Sequence, residues 1–316
     1  MTLSRSTRRM GWIGWTATGV LLLGAALYGG WRFAHATGAV GLLEWADRAI
    51  GSTAGTAVAA SGVPFGNHPA QRLDVLAPTS PGPHPVIVFF HGGGWHSGRP
   101  QDYRFVGRTF ARAGYVVVLP GYRLVPDGIY PRMLEDGAAA AAWTRAEIAR
   151  FGGDPDQVIL MGHSAGAHTA VMLGLERQWL GQQGLPDDFV KGVVGLAGPY
   201  DFHPFTSDSA RNAFGHEPDP AVTQPITFAR RDAPPMLLLT GDADTTVKPR
   251  NSRVLAEALV ETGARAELVI LPQVDHAGPL LKLARPFARD SRVRDAVLDF
   301  LDSLQRTSVP VQAEMR

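Results

Sequence analysis

Short apolar runs alternate with helical stretches along most of the chain, beginning at Arg72. Several of these runs are apolar throughout, which is typical of parallel strands buried on both faces of a sheet. The predicted strands are residues 72–76, 86–90, 115–119, 158–161, 193–196, 236–240 and 266–271. The predicted helices are residues 104–113, 131–150, 165–175, 252–262 and 290–304. The alternation predicts an α/β fold whose central sheet is mostly parallel and is flanked by helices.

The segments outside this alternation differ from it in composition. Residues 203–235 are rich in Pro, Asp and Arg, and we expect them to form an insertion over one end of the sheet. Residues 37–70 are rich in Gly, Ala, Ser and Thr and are predicted to form a linker or a small lid helix. Residues 71–306 would then be the globular domain, followed by a C-terminal tail over 307–316.

The N-terminus has the features of a membrane segment. Between Arg9 and Arg32 lie 22 consecutive uncharged residues, enough for a helix to cross the roughly 30 Å hydrocarbon core of a bilayer. Aromatic residues lie near both ends of the run, and more arginines precede it than follow it. Residues 1–36 are therefore predicted to be a cytoplasmic tail and a transmembrane anchor, with the body in the periplasm or outside the cell. The alternatives are a secretion signal cleaved near Ala34-His35-Ala36 and a buried cytosolic helix.

Charge and cysteine content exclude several classes of function. The first 40 residues carry four arginines and no acid, so the remaining chain has 26 basic and 29 acidic residues. A mildly acidic body gives no electrostatic reason to expect nucleic-acid binding. The chain has no cysteine, which excludes disulfides, thiolate metal sites and a cysteine nucleophile.

The motif Gly162-His163-Ser164-Ala165-Gly166 lies between a predicted strand and a predicted helix. In that context a Gly-x-Ser-x-Gly sequence is typical of a nucleophile elbow, a sharp turn that presents the serine hydroxyl above the sheet. The alternative is a structural Gly/Ser turn. The context favours Ser164 as a nucleophile.

A second glycine motif, His91-Gly92-Gly93-Gly94-Trp95, directly follows the strand predicted at 86–90. Acyl transfer needs donors aimed at a developing oxyanion, and glycines let backbone N–H groups approach it without obstruction by side chains. A loop of this type is the upstream partner of the nucleophile elbow. A merely flexible glycine loop is the alternative.

A serine nucleophile needs a general base that is oriented by a carboxylate. With a nucleophile elbow, the chain order is serine, acid, histidine. His276 follows the last predicted strand and is the predicted base, whereas His203 and His216 fall in the insertion. Asp242 and Asp244 both follow the strand predicted at 236–240, and position alone does not separate them. No pair of histidines has metal-ligand spacing with a carboxylate between, so neither a catalytic metal nor a cofactor is expected.

Together these motifs resemble the α/β-hydrolase carboxylesterases. The similarity is to the hormone-sensitive-lipase-like group and to the acetylxylan/feruloyl-esterase and kynurenine-formamidase-like branch. It extends from about Arg72 to Leu304 and also includes Gly121-Tyr122-Arg123, Leu134-Glu135-Asp136, Phe151-Gly152-Gly153-Asp154-Pro155, Gly198-Pro199-Tyr200-Asp201 and the segment 241–247. The resemblance implies the α/β-hydrolase fold.

The resemblance also assigns roles to individual residues. It implies that the backbone N–H groups of Gly93, Gly94 and Ala165 form the oxyanion hole and that Asp244 is the acid of the triad. By the same analogy, Trp95 would line the acyl pocket. Arg123, Asp136 and Asp201 match positions that we expect to be structural, in ion pairs and helix-end contacts. The chain departs from the family in having no substantial N-terminal cap domain.

The expected function is a serine carboxylic-ester hydrolase acting outside the cytoplasm on small-molecule or polysaccharide-linked esters. Short acyl chains are expected because the two candidate lids, 37–70 and 203–235, show no long apolar run. An amidase or aminopeptidase with the same triad is the first alternative. A non-catalytic interaction protein with a hydrolase fold is the second.

Overall fold

The computed structural model describes residues 40–51 and 53–308. The predicted anchor over 1–36 and the residues after 308 lie outside this part of the chain. Within residues 40–51 and 53–308, no helix combines the length and the apolar character needed to cross a bilayer. The last helix extends to Ser308, so the first two residues of the predicted tail at 307–316 are helical.

An eight-stranded sheet forms the centre of the molecule, in the order β1-β2-β4-β3-β5-β6-β7-β8. The strands are β1 Thr56–Pro64, β2 Arg72–Pro78, β3 His84–Phe90, β4 Val116–Pro120, β5 Gly153–His163, β6 Val190–Leu196, β7 Met236–Gly241 and β8 Ala266–Leu271. Strand β2 pairs antiparallel with β1 and β4, and all other neighbouring strands are parallel. The mostly parallel sheet predicted from the apolar runs is confirmed.

Helices cover both faces of the sheet. They are α1 at residues 40–50, α2 Arg104–Arg112, α3 Arg132–Glu147, α4 Ala165–Leu175, α5 Arg177–Gly181, α6 Asp208–Phe214, α7 Arg250–Thr262, α8 Gly278–Leu281 and α9 Arg292–Ser308. Alternate residues of a strand point to opposite faces. In β3, Val86 and Val88 join the core under α3, α4 and α7, whereas Ile87 and Phe89 join the core under α2 and α9.

The segment at 37–70 is not simply the linker or small lid that its composition suggests. Residues 40–50 form α1, and Thr56–Pro64 forms the edge strand β1, paired with β2 through two register shifts. Its composition hides the strand because alanine, serine and glycine have low β-propensity and the strand is largely exposed. Tertiary contacts hold it in place: the Gly62 N–H donates to Asp74 Oδ1 at 2.8 Å.

The carboxyl ends of the parallel strands meet at one edge of the sheet, where ligands bind in open α/β folds. The glycine loop follows β3 and Ser164 follows β5. Asp242 and Asp244 follow β7, and His276 follows β8. The topology therefore brings together residues that are far apart in sequence.

Candidate active site

Ser164 lies at a sharp turn between β5 and α4. Its backbone φ of 55° is in the left-handed region, which residues other than glycine adopt rarely. A Cβ on Gly162 would come within 2.2 Å of the Gly166 carbonyl oxygen, and one on Gly166 within 2.1 Å of the Phe90 carbonyl oxygen. Only glycine fits these two positions, so the strand-turn-helix geometry depends on both glycines of the motif.

Ser164, His276 and Asp244 form one hydrogen-bonded chain. His276 Nε2 lies 2.8 Å from Ser164 Oγ, and His276 Nδ1 lies 2.8 Å from Asp244 Oδ2. The imidazole is thus placed between a hydroxyl that can give up a proton and a carboxylate that can stabilise the resulting positive charge. This arrangement is suited to activating the serine oxygen.

Asp244, and not Asp242, is the aspartate that contacts His276. The Asp244 side chain is fully buried, and its Oδ1 accepts hydrogen bonds from the backbone N–H groups of Thr246 at 2.9 Å and Val247 at 2.8 Å. The exposed Asp242 instead accepts a hydrogen bond from the Gln273 N–H at 2.6 Å. The structure separates two aspartates that sequence position leaves equivalent.

The glycine loop after β3 faces the serine. Gly93 and Gly94 line the same cleft as Ser164 and His276. Their φ values of 119° and 60° favour glycine, and a Cβ on Gly93 would come within 2.1 Å of the Ser97 carbonyl oxygen. The N–H of Ala165 begins α4 and has no acceptor within the helix. All three residues that the resemblance assigns to an oxyanion hole therefore lie beside Ser164 or at the edge of its cleft.

Side-chain contacts that no sequence motif reveals hold this loop. The Gly94 carbonyl oxygen accepts hydrogen bonds from Ser209 Oγ on α6 and from His96 Nδ1, the latter at 2.7 Å. On the other side, Tyr122 Oη donates to the His91 carbonyl oxygen at 2.8 Å, and the two rings stack with centroids 4.4 Å apart. Burial lowers the pKa of His91 to about 4, so the ring is neutral at physiological pH.

His163, the residue before Ser164, contacts the loop that carries His276. Its Nε2 donates a hydrogen bond to the backbone carbonyl oxygen of His276 at 3.0 Å. Burial, and secondarily the proximity of His276, lowers the pKa of His163 to about 4. His163 is therefore a neutral donor beside the imidazole that faces the serine. The residue type inside the motif could have suggested a contact, but not its partner.

Trp95 is not among the residues that line the cleft at Ser164, and its role in an acyl pocket stays a prediction. The indole is only 5% exposed and packs edge-on against Phe214, with ring centroids 4.8 Å apart. It also contacts Phe202 and His168. The chain turns at Trp95, whose φ is 63°, and the ring lies under the inserted segment.

The insertion at 203–235 carries many charged residues, but the side of its helix α6 that packs against the rest of the protein is apolar. In α6, Ala210, Ala213 and Phe214 are buried, at the spacing of one helix face. A count of charges along the segment cannot show this, because the charged residues of α6, Asp208 and Arg211, are exposed while its apolar residues are buried. His203 and His216, the weaker candidates for a general base, are exposed in this segment.

The cleft at Ser164 has a volume of about 480 Å³ and a partly apolar wall. Val40 and Leu43 of α1 and Leu280 and Leu281 of α8 form that wall. The candidate lid at 37–70 thus contributes apolar side chains to the cleft, although it contains no long apolar run. Asp102, Tyr103, Ser97 and Thr246 supply the polar part of the lining.

Arg123, Asp136 and Asp201 form ion pairs. Arg123 Nη2 donates to the buried Asp136 carboxylate at 2.7 Å, and Gln71 donates to the same carboxylate at 2.6 Å. Arg250 Nη2 donates to Asp201 at 2.6 Å. Over the ranges that the structure describes, no group of three or more acidic or histidine side chains is placed to bind a metal ion.

Comparisons with known proteins agree with this geometry. The family model described as BD-FAE matches residues 73–259. Esterase LipC of Mycobacterium tuberculosis is 31% identical over 278 residues, which cover 79% of this chain and 66% of LipC. A probable isoprenylcysteine alpha-carbonyl methylesterase of Oryza sativa subsp. japonica is 29% identical over 255 residues, covering 74% of this chain and 61% of the relative. The chain thus spans just under two thirds of the length of these curated relatives.

Solved structures share the fold at low sequence identity. Esterase B from Lactobacillus Rhamnosis superposes with a TM-score of 0.72 at 19% identity and covers 90% of this chain and 95% of that one. A truncated carbohydrate esterase from gut microbiota gives a TM-score of 0.69 at 21% identity and covers 78% of this chain and 96% of that one. These similarities confirm the predicted α/β-hydrolase fold.

Proposed function

The chain belongs to the BD-FAE family, and from this premise we propose that it is a serine carboxylic-ester hydrolase. The observation that carries the proposal is the hydrogen-bonded chain from Ser164 through His276 to Asp244. Ser164 and His276 line a cleft that is also lined by Gly93 and Gly94. The names of the curated relatives, esterases and methylesterases, support the same reaction class.

The first half-reaction forms an acyl-enzyme. Ser164 Oγ attacks the ester carbonyl carbon while His276 Nε2 takes the hydroxyl proton, and Asp244 stabilises the imidazolium. The tetrahedral intermediate then collapses: the bond to the alcohol oxygen breaks, and His276 gives its proton to the departing alcohol. The acyl group remains on Ser164.

The second half-reaction restores the enzyme. His276 takes a proton from water, whose oxygen attacks the acyl carbon, and the bond to Ser164 Oγ breaks as His276 returns the proton to that oxygen. The products are the alcohol and the carboxylic acid. In both halves the backbone N–H groups of Gly93, Gly94 and Ala165 stabilise the oxyanion. Removal of one such donor typically raises the activation free energy by about 3 kcal/mol.

The proposed substrates are small-molecule or polysaccharide-linked esters with short acyl chains. Each buried CH₂ contributes about 0.8 kcal/mol only while apolar surface remains to receive it. The apolar wall formed by Val40, Leu43, Leu280 and Leu281 belongs to a cleft of about 480 Å³, which supports a gain over a few carbons followed by saturation.

The proposed location of the domain is outside the cytoplasm, in the periplasm or beyond the cell. Residues 1–36 would anchor it, and cleavage near Ala34-His35-Ala36 would instead release it. The support is the uncharged run of 22 residues with its excess of preceding arginines. Carbonate extraction of membranes, with protease added from the non-cytoplasmic side, distinguishes an anchored chain from a released one.

Ester profiling tests the proposed reaction. The full chain is assayed with p-nitrophenyl esters from acetate to palmitate, and with acetylxylan and feruloyl esters. We expect hydrolysis that is fastest between acetate and hexanoate and that falls by several orders of magnitude in Ser164→Ala. Undiminished hydrolysis by that variant would refute the mechanism. A kcat/KM that rises steadily to palmitate would refute the proposed chain length.

A further inference from the structure

Exposed apolar side chains are concentrated on and around α1. Within the described ranges, the large hydrophobic residues with high exposure include Trp45 at 61% and Ile50 at 67%, both on α1. Val58 on β1 is 49% exposed, and Phe287, after α8, is 47% exposed. Val260 on α7 is 58% exposed and belongs to a separate part of the surface.

These four side chains belong to neighbouring segments. Arg48 of α1 and Val58 of β1 line one groove. Gly51, directly after α1, lies against the Arg285 side chain, because a Cβ on Gly51 would come within 1.2 Å of Arg285 Nη1. Phe287 ends the 3₁₀ turn that begins at Arg285. We call the surface formed by Trp45, Ile50, Val58 and Phe287 the α1 face.

Basic side chains accompany the α1 face. Arg48 and Arg289 are exposed, and a neighbouring groove is lined by Arg112, Lys282, Arg285 and Arg294. Some of these cations have acidic partners: Asp290 pairs with Lys282, and Asp295 pairs with Arg294. Apolar side chains, one of them tryptophan, beside basic ones are the composition of a protein surface that rests on anionic lipid headgroups.

The acids of α1, Glu44 and Asp47, are both paired with Arg108, although Glu44 also lines the groove that holds Arg48 and Val58. Arg108, which is 5% exposed, donates from Nη2 to Glu44 at 2.7 Å and to Asp47 at 2.6 Å. Asp47 also accepts a hydrogen bond from the Arg285 N–H at 2.7 Å. The cluster fixes α1 against α2 and the 3₁₀ turn, so the exposed apolar side chains lie on a helix that is held in place by buried ion pairs.

The α1 face lies on the helix that borders the cleft, and that helix begins a few residues after the predicted membrane segment. Val40 and Leu43, at the start of α1, line the cleft that holds Ser164. Val40 comes nine residues after Trp31, the last residue of the uncharged run, a distance of at most about 30 Å for an extended chain. Any anchor formed by that run would keep the mouth of the cleft close to the bilayer surface.

We propose that the α1 face rests on an anionic membrane surface and that the cleft takes esters carried by membrane amphiphiles. Docking of the face is independent of the reaction, whereas the substrate class rests on the proposed function. The ester group would enter the cleft between α1 and α8 while the rest of the amphiphile stays in the bilayer. Basic residues near such a surface strengthen binding through their attraction to anionic headgroups.

Spin labelling tests the docking alone. Because the chain has no cysteine, Trp45→Cys and Phe287→Cys each give a single site for a nitroxide, and Val260→Cys gives a control of matched exposure. The full-length variants are mixed with vesicles of phosphatidylcholine and phosphatidylglycerol. We expect the labels at 45 and 287 to relax more with lipid-soluble oxygen than with a water-soluble nickel chelate, and the label at 260 to show the reverse. Labels at 45 and 287 that behave like the label at 260, or a chain that does not float with the vesicles, would overturn the docking.

Kinetics tests the substrate class. The variant carrying Trp45→Ser and Phe287→Ser is compared with Val260→Ser, using an ester dispersed in the vesicles and water-soluble p-nitrophenyl acetate. We expect the double variant to lose at least tenfold in rate on the vesicle-borne ester only, and Val260→Ser to lose nothing on either substrate. If the double variant and Val260→Ser hydrolyse the vesicle-borne ester at equal rates, the proposed substrate class is overturned. A wild-type chain that hydrolyses neither ester would refute the proposed function, while the spin labels would still decide the docking.

Discussion

The buried imidazole of His163 donates a hydrogen bond from Nε2 to the backbone carbonyl oxygen of His276, over 3.0 Å. The residue before the serine therefore fixes the loop that carries the histidine facing that serine. His163 remains neutral because burial lowers its pKa to about 4, so it supplies a donor without adding a positive charge beside His276. In the proposed mechanism His163 is a positioning residue.

Removal of this donor should slow the reaction. His163→Phe leaves the His276 carbonyl oxygen without its partner, at a cost of about 1–3 kcal/mol, which corresponds to a fall of roughly 5- to 150-fold in kcat/KM. We expect the change to appear in kcat more than in KM. His163→Gln retains an N–H donor and should recover part of the lost kcat. Stopped assays with p-nitrophenyl acetate, alongside urea unfolding of each variant, measure both effects. A wild-type kcat in His163→Phe would show that the hydrogen bond has no positioning role.

Because three histidines are buried, we expect the free energy of unfolding to fall in mild acid. Burial lowers the pKa of His91, His163 and His168 to about 4 each. In the unfolded chain they bind protons near their ordinary pKa of about 6.5, so between these values the unfolded state holds more protons and stability falls as the pH falls. The combined slope near pH 5 is about 4 kcal/mol per pH unit.

Urea unfolding at a series of pH values between about 7 and 4 measures this slope. Near pH 5, the variant His168→Gln should take up about one proton fewer on unfolding than the wild type, since it lacks one of the three groups. An unchanged slope in His168→Gln would contradict the assignment of a buried, neutral imidazole at that position.

The conformation of the glycine loop should matter for turnover. Gly93→Ala forces a Cβ to within 2.1 Å of the Ser97 carbonyl oxygen at a φ of 119°, so the loop must shift. We expect kcat to fall by about 100-fold or more, as when an oxyanion donor is displaced. Gly114→Ala is the matched control, because its φ is 93° but no atom lies within 4 Å of the added Cβ. The control should lose stability and keep its kcat/KM; equal losses of kcat in both variants would contradict a special role for the loop.

The ion pairs of Arg108 with Glu44 and Asp47 should contribute far more to the free energy of unfolding than a surface ion pair does. Arg108→Met leaves Glu44 and Asp47 without their cation, and uncompensated buried charges cost about 3–5 kcal/mol. Arg145→Met removes the exposed partner of Asp156 and should cost at most about 1 kcal/mol. Urea unfolding compares the two free energies of unfolding. The triple variant Arg108→Met, Glu44→Gln and Asp47→Asn should recover most of the loss, and a triple variant no more stable than Arg108→Met would contradict the electrostatic explanation.

The sequence predicts seven of the eight strands and misses the edge strand β1. Strands β2 to β7 are found where apolar runs predict them, because burial on two faces requires such runs, and the other edge strand, β8, is found at its predicted position. Strand β1 is rich in alanine, serine and glycine, lies exposed at the edge and is held by distant residues such as Asp74, so no local pattern marks it. The helices α5, α6 and α8 are not predicted because they have only 5, 7 and 4 residues, respectively, too few to show a helical period.

The site residues follow the same division. Ser164, His276 and the glycine loop were predictable because each occupies a motif at the end of a strand. The His163 contact was not, since its partner is 113 residues away and the contact is to a backbone carbonyl oxygen. The packing of Trp95 was not predictable either, because a resemblance gives a position in the sequence, whereas the ring packs against Phe214 in the insertion.

Covalent trapping of the serine tests the central claim most directly. An alkyl p-nitrophenyl phosphonate, added to the full chain, should release a single equivalent of p-nitrophenolate and abolish ester hydrolysis. Mass spectrometry of the digested protein should then locate the phosphonyl group on Ser164, and Ser164→Ala should remain unlabelled. An adduct on another residue, or full ester hydrolysis with no adduct at Ser164, would contradict the proposal that Ser164 is the nucleophile.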